Sequence, residues 1–136
     1  MNRKARILIV EDDTPVAMMM IFLLTRAGIE TEVAATGKKA MQMVQEGDFD
    51  LITLDVDLPD TSGFEICRQL KENPLLSDTP VLFVSGRSCL EDQQHGLELG
   101  AVDYITKPFG LEFAPRLLSH IKAKGDPVAA LESAMI

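Results

Sequence analysis

Cysteine is scarce in this chain. Among 136 residues there are two, Cys67 and Cys89. Neither has metal-ligand spacing or a histidine cluster nearby, so both read as free thiols of a reducing compartment. Positive charge is also in short supply: 13 Lys and Arg against 21 Asp and Glu leave a formal net charge of -8. That deficit excludes the basic footprint with which a protein neutralises nucleic-acid phosphates. An acidic balance suits a protein that gathers cations or docks a basic partner. Long apolar runs are missing too. The longest, Val16 to Leu24, falls far short of the ~20 residues that span a bilayer. The apolar stretch after the basic MNRKAR start is too short for a signal peptide. No membrane partner and a cytoplasmic location are therefore expected. There is no internal repeat, no low-complexity segment, and no glycine-rich loop after the first apolar run, which removes a nucleotide-binding reading.

What is present describes one ordinary globular domain, with 46% apolar and 25% charged residues and enough length to bury a core. Short apolar runs alternate with longer helical patterns, the signature of a parallel sheet covered on both faces. The runs are Ala5–Val10, Thr31–Ala35, Leu51–Leu54, Val81–Val84 and Val102–Ile105. Most lack period-2 alternation, as strands buried on both sides do. Thr14-Pro15 supplies a capping hydroxyl and an N-terminal proline, and Ser62-Gly63-Phe64-Glu65 and Ser88-Cys89-Leu90-Glu91 read as capping boxes. Gly28 and Gly100 are expected to close helices in the left-handed region. Right-handed crossovers then leave a doubly wound α/β sheet of order 2-1-3-4-5, the flavodoxin-like arrangement, as the natural topology. A last helix is expected over Leu111 to Lys122, with Gly125-Asp126-Pro127 stopping it. Residues 1–124 read as the domain and 125–136 as a tail that begins a linker to an output domain. The alternative is that Val128, Leu131 and Met135 pack back on the domain.

Open α/β sheets bind ligands beyond the carboxyl ends of their strands. There the sequence places Glu11, Asp12 and Asp13 after strand 1, Asp55 and Asp57 after strand 3, Ser85 after strand 4 and Lys107 after strand 5. Crowded carboxylates repel, and a hard divalent cation with oxygen ligands relieves that repulsion. A carboxylate can act as a nucleophile and form an aspartyl phosphate. Cation, ammonium and hydroxyl would stabilise the phosphoryl oxygens during transfer. Asp13 reads as a cap or solvated group, and His95 and His120 as surface residues away from the strand ends.

The segments ILIVEDD, LITLDVDLPDTSGFE, VLFVSG and GAVDYITKPF, in this order and each at a strand end, resemble the receiver domain of two-component response regulators. The resemblance covers residues 5 to about 123. It implies a domain that accepts a phosphoryl group on Asp55 from a histidine kinase or histidine phosphotransfer protein and changes shape to control an output domain or partner. It further implies Mg²⁺, with Mn²⁺ as a substitute, held by Asp12 and Asp55 directly, by the Asp57 backbone carbonyl, and by Glu11 through water. Ser85 and Lys107 would contact the phosphoryl group, Tyr104 would move with Ser85 as the switch, and the Lys107-Pro108 bond would be cis. Such a domain assists its own phosphorylation and dephosphorylation without being a conventional enzyme.

Three positions stand out against the family. Serine occupies position 85, where threonine is commoner, so the hydroxyl rotor is less constrained. Position 57 is acidic and position 87 is arginine, which places opposite charges where the family varies its dephosphorylation rate. Asp57 and Arg87 are expected to pair across the site mouth. In the first helix, Val16, Met20, Leu23 and Ala27 are expected to face the sheet, with Met19 and Leu24 at the edges. Met18, Ile21 and Phe22 then form a second apolar ridge toward water. This ridge suits docking of the phosphodonor, a role this helix has in the family, or a homodimer contact.

Two other functions compete. Asp55-Val56-Asp57 imitates the DxD pair of haloacid-dehalogenase-like phosphatases, but the motif follows the third strand and Leu58-Pro59 come next. A pseudo-receiver, a pure interaction module of the same fold, would lack part of the phosphorylation set, and nothing in that set is missing.

Overall fold

Five parallel strands form at the five predicted runs: β1 (Arg6–Val10), β2 (Glu30–Ala34), β3 (Leu51–Leu54), β4 (Val81–Ser85) and β5 (Asp103–Thr106). The computed structural model describes residues 4–121. The strands lie in the order β2-β1-β3-β4-β5, as expected. Strands β3 and β4 are buried throughout, whereas β2 has exposed positions, the difference between a central and an edge strand. Relative to the sequence reading, β2 and β5 are shifted by one residue, and Ser85 is the last residue of β4 rather than following it.

Register alternation divides the core between the two faces of the sheet. On one face Ile7, Ile9, Leu51, Leu82, Val84 and Ile105 meet Met20 and Leu24 of α1 (Thr14–Arg26), and Phe113, Ala114 and Leu117 of α5 (Phe113–Leu118). On the other, Leu8, Val10, Ile52, Leu54, Val81 and Phe83 pack against α2 (Gly37–Glu46) and α3 (Gly63–Glu72), through Ala40, Val44, Ile66, Cys67 and Leu70. The fourth helix, α4 (Leu90–Glu98), is glycine at its buried position, Gly96, and approaches the Phe83 ring there. The helices that leave β1 and β3, α1 and α3, therefore lie on opposite faces of the sheet. This opens a crevice between those two strand ends.

Several helix starts differ from their sequence reading. Helix α1 is capped by Asp13, whose side chain accepts from the Val16 amide, and Thr14 is already helical. Ser62 caps α3 through the Phe64 amide, but Glu65 turns to Arg68 and Gln69 instead of closing a capping box. Helix α4 starts after Cys89, with no side-chain cap; the Ser88 carbonyl accepts from the Gln93 side chain. Gly28 and Gly100 take positive φ, at 82° and 109°, as expected of residues that end helices. Helix α5 is shorter than expected, because residues 111–112 form a turn in which Glu112 accepts from the Gly110 amide. Lys122, Gly125-Asp126-Pro127 and the tail with Val128, Leu131 and Met135 lie outside the described residues.

Candidate functional site

At the carboxyl ends of β1 and β3, Glu11 and Asp55 are both buried although both are acidic. Each is held by backbone geometry: Glu11 N donates to the Ala34 carbonyl and Asp55 N to the Val10 carbonyl, both at 3.0 Å. The two strands that pair in register thus deliver their next residues to one point. Lys107, just after β5, reaches back between them. Its Nζ lies 2.5 Å from Glu11 Oε1 and 3.0 Å from Asp55 Oδ2. Asp12 stands beside them, exposed, and carboxylate oxygens of Glu11, Asp12 and Asp55 lie within 4.8 Å of one another. Hard oxygen donors clustered in this way suit a divalent cation such as Mg²⁺.

Burial pushes the Glu11 carboxyl above its ordinary range, and the nearby Asp55 charge adds to this against the pull of Lys107 and the Asp13 amide. Burial alone would lower the Lys107 ammonium. Its hydrogen bonds to Glu11 and Asp55 outweigh that, and its pKa is raised. The ammonium is therefore a fixed positive charge beside the Asp55 carboxylate. Ser85, fully buried at the end of β4, completes the floor, and its Oγ accepts from the Arg87 amide at 3.2 Å.

Two loops frame the mouth. Asp57 and Arg87 face each other across it in a forked pair, with Nη2–Oδ1 at 2.8 Å and Nε within 3.1 Å of both carboxylate oxygens. The Arg87 hydrogen bond holds the Asp57 carboxyl below its usual range. The Tyr104 hydroxyl donates to the Arg87 carbonyl at 2.6 Å. Below the mouth, Gly63 brings its backbone so close that a β-carbon there would run into the Asp55 carbonyl oxygen. The Lys107–Pro108 peptide is cis.

Glu11, Asp12, Asp55, Lys107 and Ser85 therefore converge, with Asp57, Arg87 and Tyr104 on the adjoining rim. The apolar ridge on α1 is a correction. Ile21 is half-buried against the core, and the exposed apolar residues are Met18, Met19 and Phe22, at 63%, 52% and 54%. Ala17 and Leu24, with Met20, form the buried stripe, while Ala27 is exposed. The reason is the neighbouring α5, which shelters one flank of α1 and turns the water-facing side toward Met19. His95 lies exposed with its ring edge-on to Phe64, and His120 pairs with Asp103 at 3.0 Å. Asp60 was not singled out in the sequence. Its carboxylate accepts from the Gly37 and Lys38 amides and so ties the loop after Asp55 to the start of α2. No local signal marks a residue whose partner lies 23 positions away. Cys67 is buried, which pushes its thiol up to about 11, and Cys89 is exposed.

Residues 7–122 match the family model described as the response regulator receiver domain. Among curated relatives, the transcriptional regulatory protein TcrA of Mycobacterium tuberculosis is 40% identical over 107 residues, covering 79% of this chain and 42% of TcrA. YrkP of Bacillus subtilis, named as an uncharacterized transcriptional regulatory protein, is 42% identical over 107 residues, with 79% and 45% covered. The chain thus spans less than half the length of either relative. Among solved structures, the chemotaxis protein CheY4 of Vibrio cholerae superposes with a TM-score of 0.81 at 31% identity, covering 88% of this chain and all of CheY4. A putative response regulator from Chloroflexus aurantiacus gives 0.82 at 32% identity, with 86% and 96% covered. No helix among the described residues is long and apolar enough to cross a membrane.

Proposed function

This chain belongs to the response regulator receiver family and is a two-component signal transduction receiver, and from that premise we propose that Asp55 is its phosphoacceptor. The observation that carries this reading is the Asp55 carboxylate at a strand end, 3.0 Å from the Lys107 ammonium and clustered with Glu11 and Asp12. A carboxylate oxygen of Asp55 attacks the phosphorus of the donor. The bond from phosphorus to the donor's histidine nitrogen breaks, and the nitrogen keeps the electron pair. Lys107 balances the charge of the incoming phosphoryl group, and the Ser85 hydroxyl donates to one of its oxygens. Asp12, Asp55 and the Asp57 carbonyl would hold Mg²⁺, or Mn²⁺ in its place, with Glu11 acting through water. When bound, the ion neutralises the phosphoryl oxygens. Asp57 and Arg87 control how water approaches the product and so tune hydrolysis; Ser85 and Tyr104 carry the switch.

The proposed donor is a histidine kinase or a histidine phosphotransfer protein, docked in part on Met18 and Phe22 of α1. Met19 replaces Ile21 as the third apolar contact; a homodimer is the alternative use of that surface. Because TcrA and YrkP are named as regulators of transcription and are more than twice as long as their matched parts, residues 1–124 are taken as the receiver and 125–136 as the start of a linker to an output domain. The reducing cytoplasm suits the free thiols.

Acetyl phosphate with Mg²⁺ should add one phosphoryl group to the wild-type chain by intact mass, and none to Asp55→Asn. Labelling that survives in the variant would move the acceptor elsewhere. No labelling of either protein would favour a pure interaction module, and turnover of small phosphate esters would favour the phosphatase reading.

A further inference from the structure

Tyr104 is the only tyrosine in a chain without tryptophan, and it is turned inward, 5% exposed. Its ring packs on Phe83 with centroids 5.8 Å apart. Helix α4 passes over this pair at Gly96, where a β-carbon would come within 2.9 Å of the Phe83 ring and 3.4 Å of the Tyr104 ring. The missing side chain at position 96 leaves room for the Phe83 ring, while the Tyr104 hydroxyl is held by the Arg87 carbonyl, 2.6 Å away, with the Ser85 side chain as a second hydrogen-bond neighbour.

That carbonyl is held in place from its own side chain. The Arg87 guanidinium is forked onto Asp57, its amide donates to Ser85 Oγ, and Nη1 lies 3.8 Å from Asp92 on α4. An exposed ion pair of this kind contributes little stability. Its directional fork, however, restricts where the backbone of residue 87 can lie.

We infer that Arg87 is a two-ended latch, tied through its guanidinium to Asp57 on the phosphoacceptor loop and holding Tyr104 inward through its carbonyl. Charge at the acceptor mouth therefore sets the position of the only tyrosine. Asp57 lies two residues from Asp55. A phosphoryl group on Asp55 would offer the guanidinium a partner of higher charge than the Asp57 carboxylate. Movement of the guanidinium to that partner carries the residue 87 carbonyl with it, and Tyr104 loses its acceptor or follows it. With the latch closed, Tyr104 is inward before any phosphoryl group arrives. The inference deepens the phosphoacceptor reading and rests on it only for the phosphorylated state; the closed latch belongs to the unmodified chain.

The test is acrylamide quenching of tyrosine fluorescence, in buffer without Mg²⁺ or phosphodonor, where the whole signal comes from Tyr104. Wild type should be weakly quenched. Arg87→Ala and Asp57→Asn should each raise the quenching constant at least about twofold. Arg87→Lys should behave like Arg87→Ala, because it keeps the charge and loses the fork; a residue acting by charge alone would leave it like wild type. Free N-acetyltyrosinamide supplies the scale of a fully exposed ring. Far-UV circular dichroism checks folding, and if Arg87→Ala does not fold, Asp57→Asn decides, as it leaves Arg87 intact. Arg87→Ala and Asp57→Asn matching wild type would overturn the latch. A wild type already as accessible as that free tyrosine would overturn it too. No phosphodonor is involved, so either failure leaves the labelling of Asp55 to stand or fall separately.

Discussion

Lys107 Nζ lies 2.5 Å from Glu11 Oε1, an ion pair between residues 96 positions apart that also neutralises Asp55. Without the ammonium, two buried carboxylates would face each other with no fixed positive charge between them. In Mg²⁺-free buffer Lys107→Met should cost about 2 kcal/mol of stability. Its melting temperature should rise more with millimolar Mg²⁺ than that of wild type, because a cation then replaces the missing charge. Asp12→Ala should abolish the wild-type response to Mg²⁺. A Lys107→Met protein as stable as wild type in chelator would show that the ammonium is not the counter-charge.

Gly63 is the contact that sets the height of the acceptor. Its amide donates to the Val56 carbonyl at 2.8 Å, and a β-carbon would meet the Asp55 carbonyl oxygen. Backbone cannot step aside as a flexible side chain can. Gly63→Ala should therefore lose about 2 kcal/mol or more in urea titration and slow acetyl-phosphate labelling. Unchanged stability and labelling would mean that α3 shifts freely.

Thr53 carries a buried hydroxyl with no hydrogen-bond partner among the described residues. An unsatisfied buried donor costs free energy, and valine has nearly the same shape without it. Thr53→Val should raise stability by about 1 kcal/mol. A loss instead would indicate that the hydroxyl finds a partner in solution.

Asp103 accepts from Arg116, first in effect, and from His120 and the Tyr104 amide, which pull its carboxyl down to about 2 from 3.8. A depressed carboxylate contributes stability that is present above its ordinary range. That stability is lost as pH falls toward the folded value. After allowance for solvent screening, Asp103→Asn should cost about 1 kcal/mol at neutral pH. It should also flatten the loss of stability between about pH 4 and pH 2. An acid limb as steep as that of wild type would place the effect on another group.

Met19 and Phe22 stand on the exposed face of α1, whereas Ile21 packs into the core. Replacing Met19 and Phe22 with glutamine should change stability by about 0.5 kcal/mol or less. Acetyl-phosphate labelling should persist while transfer from a protein donor slows. Ile21→Gln should instead destabilise the fold. The reverse pattern would restore the ridge read from the sequence.

The sequence by itself determined the five strands, their order, and which residues stand at the strand ends. Each of these follows from short-range rules: runs of apolar residues too dense for one-sided burial, glycines where a helix must end, and crossovers of one hand. Asp55, Glu11, Asp12, Ser85 and Lys107 were legible because each ends such a strand or follows it within two residues. Tertiary structure alone decided whatever depends on how finished elements sit against one another. The rotation of α1, which half-buries Ile21 and exposes Met19, is set by α5 beside it. The grip of Asp60 on α2, the approach of Gly63 to Asp55 and the inward seat of Tyr104 beneath Gly96 arise in the same way. Local propensity acts over about one helical turn. These contacts join residues that only the assembled sheet brings within bonding distance.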